Sequence, residues 1–156
     1  MTVDTPEQMF RKALHAHGYR VTPDRLRVFR HLLARTQPVA VAELAETLAG
    51  EGTHPVTVYR VIDCLSDLGV VHPVLLGNSA VGFELSAPFR DHHHHLRCRG
   101  CGRLFDLAEC ELDPVIRRIE EVHHYRVEAH ELTLEGLCDR CAQKEAASAP
   151  SSHHQA

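Results

Sequence analysis

The chain has 156 residues, 44% hydrophobic and 24% charged, with a formal net charge of −4. This composition predicts a folded protein of one compact domain or two small ones. With no apolar run near the ~18 residues of a membrane span, and no basic-then-apolar signal peptide, the expectation is a cytoplasmic protein with no membrane partner. In a reducing compartment six cysteines point to metal or redox chemistry rather than a disulfide scaffold, and fourteen histidines are far more than composition alone would give.

Thr5-Pro6-Glu7-Gln8 predicts an N-cap, a proline at the first helical position and a capping-box glutamine. That helix should run to about residue 17 and stop at Gly18. Thr22-Pro23 repeats the start signal, and Leu26, Phe29, Leu32 and Leu33 then fall at helical spacing. A third helix is expected over 41–49, with Leu44, Ala45 and Leu48 inward. The fourth opens at His54-Pro55 and closes at Gly69. Val58, Val61, Ile62 and Leu65 form its inner stripe, and Thr57, Tyr59, Arg60 and Asp63 face out. Two β-rich runs, 70–76 and 81–85, flank a turn signal at Gly77-Asn78-Ser79. Helices followed by a hairpin are the order of a winged helix-turn-helix, whose last helix enters the major groove of DNA.

Residues 86–91, containing Pro88, read as a hinge into a second unit over 92–141. Strands are expected at 93–97 and 104–107, a helix from Asp113-Pro114 with Val115, Ile116, Ile119 and Val122 as its apolar positions, and a strand over 125–137. From Ala142 onward the composition predicts a disordered tail, 142–156, containing His153-His154. The first unit spans 1–85. The whole is an α+β chain.

Charge is unevenly spread. Residues 11–35 hold seven basic side chains and one acid, Asp24, so a local basic surface could meet phosphates although the chain is acidic. Tyr59 can stack on thymine methyls, and Arg60 can pair with guanine or phosphate.

Cys98-Arg99-Gly100-Cys101 and, 36 residues later, Cys138-Asp139-Arg140-Cys141 give two tight chelating turns. Together they complete a closed S4 set, the usual structural zinc site; the bland alternative is a redox pair. Upstream stands Asp91-His92-His93-His94-His95. On a strand, successive side chains point to opposite faces, so His92 and His94 can serve one site and His93 and His95 another. Imidazoles suit zinc, iron(II), manganese and nickel alike.

Val56-Thr57-Val58-Tyr59-Arg60, then His92–His95-Leu96-Arg97-Cys98-Arg99-Gly100-Cys101-Gly102, then Cys138 and Cys141, resemble the ferric uptake regulator family over residues 7–141. The resemblance implies an N-terminal winged-helix DNA-binding domain and a C-terminal α/β dimerisation domain. It also implies a homodimeric repressor, not an enzyme, that binds a palindromic double-stranded DNA operator when loaded with metal and controls metal-homeostasis genes. Cys98, Cys101, Cys138 and Cys141 match structural zinc ligands. His92, His94, Asp113 and His130 match an additional site in the dimerisation domain, and His93, His95 and Glu84 match the sensing site. Arg25, Thr57, Tyr59 and Arg60 are the expected DNA contacts.

Two departures bear on the sensed metal. Pro38 stands where iron and peroxide members supply a loop histidine, and Ser86 where zinc members often have cysteine. His72 stands where some zinc members place an aspartate ligand. The expected regulatory set is therefore His72, Glu84, His93 and His95. It slightly favours zinc, and the zinc uptake regulator branch, with iron(II) or manganese as alternatives because of Glu84. A peroxide sensor and a metal-dependent hydrolase are the rival readings. Cys64 reads as a buried hydrophobe, and Cys110 matches no ligand position.

Overall fold

A computed structural model describes residues 4–77, 80–108 and 110–148. The chain divides into two compact units, residues 1–92 and 93–156. Among the described residues no helix is long and apolar enough to cross a membrane.

The first unit runs α1 (Pro6–Ala16), α2 (Pro23–Leu33), β1 (Val39–Ala40), α3 (Val41–Ala49), α4 (Pro55–Asp67), β2 (Val71–Gly77) and β3 (Ala80–Leu85). The capping box at Thr5 forms: Gln8 N–H donates to Thr5 Oγ1, and Thr5 N–H donates to Gln8 Oε1. Gly18, at φ +74°, takes the left-handed turn after α1 that a side chain would resist. The four helices bury one apolar stripe each. Phe10 and Leu14 come from α1, Val28, Phe29 and Leu32 from α2, Leu44, Ala45 and Leu48 from α3, and Val58, Val61, Ile62 and Leu65 from α4. The Phe10 and Phe29 rings stack at 4.1 Å, and Phe89 meets both edge-on.

Two details differ from the expected pattern. Leu33 is exposed and Val28 takes its place in the core. β1 is too short to leave a signal in sequence, yet it adds a third strand beside the hairpin, giving the antiparallel order β1-β3-β2. The tip residues expected to turn at Asn78-Ser79 lie outside the described residues, though Gly77 pairs with Ala80.

The approach to α4 is fixed by a polar knot. Arg27 of α2 donates to Asp24 and to Thr53 Oγ1, both at 2.7 Å, and the Thr53 hydroxyl donates to Asp24 at 3.0 Å. Thr53 is buried, so these bonds satisfy a hydroxyl that water cannot reach.

The second unit runs β4 (His94–Cys98), β5 (Leu104–Leu107), α5 (Asp113–His123), β6 (Thr133–Gly136) and α6 (Asp139–Ser148). Its sheet order is β5-β4-β6, with β4 antiparallel to β5 and parallel to β6. The long strand expected over 125–137 shrinks to four residues. Among the described residues only β4 pairs with β6, and the pairing covers His95–Cys98 against Thr133–Gly136. The expectation of disorder from 142 is corrected for residues up to Ser148. An alanine-rich run that opens at Asp139, an acid in the first turn, is a good helix, and Glu145 meets Arg99 at 3.3 Å. Residues 149–156, with the tail histidines, lie outside the described residues. Helix α5 has no fully buried residue: of its apolar positions, Val115, Ile119 and Val122 are exposed.

Thr53→Val keeps the shape but leaves Arg27 and Asp24 short of a buried partner. It should destabilise the first unit by about 0.5–1.5 kcal/mol in urea unfolding monitored on that unit.

Candidate metal centres and DNA-facing surface

The four cysteines converge. Cys98 ends β4, Cys101 follows in the turn, Cys138 follows β6, and Cys141 lies in α6. Their sulfurs lie within 4.8 Å of one another, and Cys101 and Cys138 are 3.9 Å apart. Tetrahedral zinc–sulfur bonds would separate neighbouring sulfurs by about 3.8 Å. All six cysteines are free thiols. The turn demands glycine at position 100: a Cβ there would meet Cys141 Cβ at 2.9 Å and its sulfur at 3.0 Å.

The electrostatics of this cluster ask for a cation. The backbone N–H of Cys138 points at Cys98 Sγ from 3.3 Å, and with those of Cys101 and Gly100 it draws the Cys98 thiol down to about 6. Cys141 is pushed up to about 12, first by its contact with Cys138 and then by burial and the neighbouring sulfurs. Four thiols so close cannot all ionise on their own, and a divalent ion removes that conflict. The donor set therefore fits a structural metal, and zinc is the ion whose ligand preferences match S4 coordination.

The histidine run splits as strand geometry predicts. The His93 and His95 rings meet edge-to-face at 4.9 Å, while His94 turns the other way. His95 faces Asp106, its cross-strand partner on β5, with Nδ1 3.5 Å from a carboxylate oxygen. Asp106 escaped the sequence reading because the β4–β5 register that places it opposite His95 is not written in any local motif.

His94, nearly fully buried, has Nε2 3.2 Å from Cys110 Sγ, and that sulfur is 3.2 Å from His130 Nε2. Cys110 is thus the residue that sequence reasoning missed. Asp113, expected as the fourth member with His92, His94 and His130, opens α5 and borders a cavity that His130 also lines. The group gathered with the two rings is the Cys110 sulfur rather than the Asp113 carboxylate. Its position three residues before Asp113 was the available signal.

In the first unit His72 and Glu84 are cross-strand partners in the hairpin. His72 Nε2 lies 3.0 Å from Glu84 Oε1, and His72 Nδ1 lies 3.1 Å from Ser86 Oγ. Glu84 is 3% exposed, and its second oxygen accepts from Arg90 Nη1 at 2.9 Å. Arg90, also unforeseen, donates onward to the Thr36 carbonyl.

The outer face of α4 presents Tyr59 and Arg60, with Thr57 half-buried beside them. The expected basic surface over 11–35 is reduced by acids outside that window. Glu7 holds Arg11 and Arg30, Asp4 holds Lys12 and Glu43 holds Arg35, while Arg27 is taken by Asp24. The two guanidinium groups on Glu7, Arg30 first, draw its carboxyl below the ordinary range. Arg25 is not among these ion pairs: it donates to the Arg20 carbonyl at 2.6 Å and lies over the Tyr19 ring.

Gly100→Ala forces the Cys141 thiol away and should weaken retention of the metal by at least about tenfold in a chelator competition, with unfolding of the first unit unchanged.

The Ferric uptake regulator family profile matches residues 16–135. The chain is 33% identical over 139 residues to the ferric uptake regulation protein of Bacillus subtilis (strain 168), covering 86% of this chain and 93% of that protein. It is 29% identical over 135 residues to the peroxide-responsive repressor PerR of Staphylococcus saprophyticus, covering 85% and 88%. Among solved structures, the Vibrio cholerae ferric uptake regulator superposes with a TM-score of 0.65 at 28% identity, covering 83% of this chain and 99% of that one. The two compact units, the hairpin after four helices and the four-cysteine cluster thus have one explanation: the chain belongs to the ferric uptake regulator family.

Proposed function

We propose that this chain is a homodimeric repressor that binds a palindromic operator when a divalent metal occupies a regulatory set of His72, Glu84, His93 and His95. The observation that carries the reading is the His72–Glu84 pair, held in cross-strand register with the Glu84 carboxylate buried and His72 partly exposed beside it. A nitrogen and a carboxylate oxygen 3.0 Å apart are close enough for one metal ion to take both as ligands. His93 and His95, side by side in the second unit, supply the remaining donors. Cys98, Cys101, Cys138 and Cys141 hold a structural zinc in this reading. As a family of transcription regulators, its relatives give no support to a hydrolase.

A bound ion supplies a common positive centre for donors from both units. Every other part is the chain's own. His72 and Glu84 bring the wing hairpin to that centre, His93 and His95 bring β4, and Arg90 keeps one Glu84 oxygen occupied so that the other is presented. The arrangement that joins them is the one we assign to DNA binding, so metal and operator should strengthen each other reciprocally. Thr57, Tyr59 and Arg60 on α4 read the major groove, and Arg25 positions the backbone. The exposed Val115, Ile119 and Val122 of α5 are the surface for a second copy.

Three nitrogens and a carboxylate accept zinc, iron(II) or manganese. We favour zinc, because His72 adds a borderline ligand and Pro38 replaces a loop histidine. An iron- or manganese-responsive regulator is the second reading, carried by the hard carboxylate of Glu84, and a peroxide sensor is its variant.

Operator binding titrated with buffered zinc, iron(II), manganese and nickel should respond at the lowest free concentration to zinc; a response to iron(II) alone would overturn the zinc assignment. His93→Ala/His95→Ala should abolish metal-dependent binding while the four-cysteine site keeps its metal, and unchanged binding would sink the regulatory set. Arg60→Ala should weaken binding and, if its contact is a phosphate, lower the salt slope by about one.

A further inference from the structure

The region around Cys110 asks for an explanation that the regulatory set does not give. Its sulfur sits between two imidazole nitrogens at 3.2 Å each, on a stretch that belongs to neither β5 nor α5. The His94 and His130 rings are 5.2 Å apart. Tetrahedral zinc would set a thiolate and an imidazole nitrogen about 3.6 Å apart, so a small adjustment closes the three around one ion. A merely structural cysteine is normally a buried hydrophobe among apolar atoms. This one is half-buried and faced by two of the chain's borderline metal donors.

We propose that Cys110 is a thiolate ligand, with His94 and His130, of the additional metal site in the second unit, and that it makes this site selective for zinc over manganese and iron(II). The inference rests on the additional site of the family reading and replaces its carboxylate, Asp113, with sulfur. His92, two residues ahead of His94 in the chain, is the fourth donor. A thiolate is a soft ligand, and soft ligands favour zinc and copper(I), whereas carboxylates suit manganese and magnesium. The site also has a mechanical role. Its three donors come from β4, from the stretch before α5 and from the stretch before β6, and neither of the last two is held by a strand or helix. One ion ties both to the sheet.

The test uses the full-length protein in the His93→Ala/His95→Ala background, which silences the regulatory set, with the four-cysteine site first filled by one equivalent of zinc. Of six thiols, four are then occupied and Cys64 is buried in α4, so only Cys110 can donate to added cobalt(II). Cobalt should bind with an intense near-ultraviolet thiolate-to-metal band. Cys110→Ser should lose that band, and Cys110→Asp should bind cobalt without it and lower the zinc-to-manganese affinity ratio by at least about tenfold. Zinc content of the four-cysteine site and circular dichroism establish that each variant is folded. A band of equal strength in Cys110→Ser, or cobalt bound by the parent without any band, overturns the role of Cys110 while leaving the additional site standing. Failure of the parent to take up cobalt at all overturns both the site and the inference.

Discussion

The convergence of four sulfurs is the constraint on which the second unit depends. Of the described residues from 93 onward, only His94, His95 and Cys98 are buried, and all three are metal-ligand types. A unit with so little enclosed apolar surface lacks the usual favourable term against chain entropy. Closing the two cysteine turns around one ion would supply what packing does not. The parallel pairing of β4 with β6, the seat of α6 and the tight approach at Gly100 all lead to the same four side chains.

The first unit is built on the opposite principle. Its core is a continuous apolar cluster drawn from four helices and the hairpin, flanked by two polar networks, the Arg27–Asp24–Thr53 knot and the His72–Glu84–Arg90 chain. The first of these orients α4; the second occupies a carboxylate that would otherwise be costly to bury.

Sequence periodicity made the four helices legible, because each carries its apolar stripe at 3.6-residue spacing and begins at a capping residue followed by proline or, for α3, at a strand end. The cysteine pairs were legible because both members of each chelating turn are neighbours in the chain. What escaped was whatever depends on long-range register. Asp106 becomes a neighbour of His95 only through the β4–β5 ladder, and Cys110 meets His94 and His130 only after two irregular stretches fold back. Counting charges in a window failed for a related reason: Glu7, Asp4 and Glu43 lie outside residues 11–35 but reach into it. The strand expected over 125–132 did not form because β4, its available partner, is only five residues long.

The placement of β6 carries a consequence for biosynthesis. The contacts of the first unit are complete once residue 92 has been made, and most link segments close in sequence. Those of the second are not, since β4 must await β6, and the sulfurs of Cys98 and Cys101 must await Cys138 and Cys141. Non-local pairing of this kind is intrinsically slow, and domains form in order of synthesis. During translation, therefore, the N-terminal half is finished first, and the thiols of Cys98 and Cys101 stand exposed until Cys138 and Cys141, about forty residues further along, leave the ribosome.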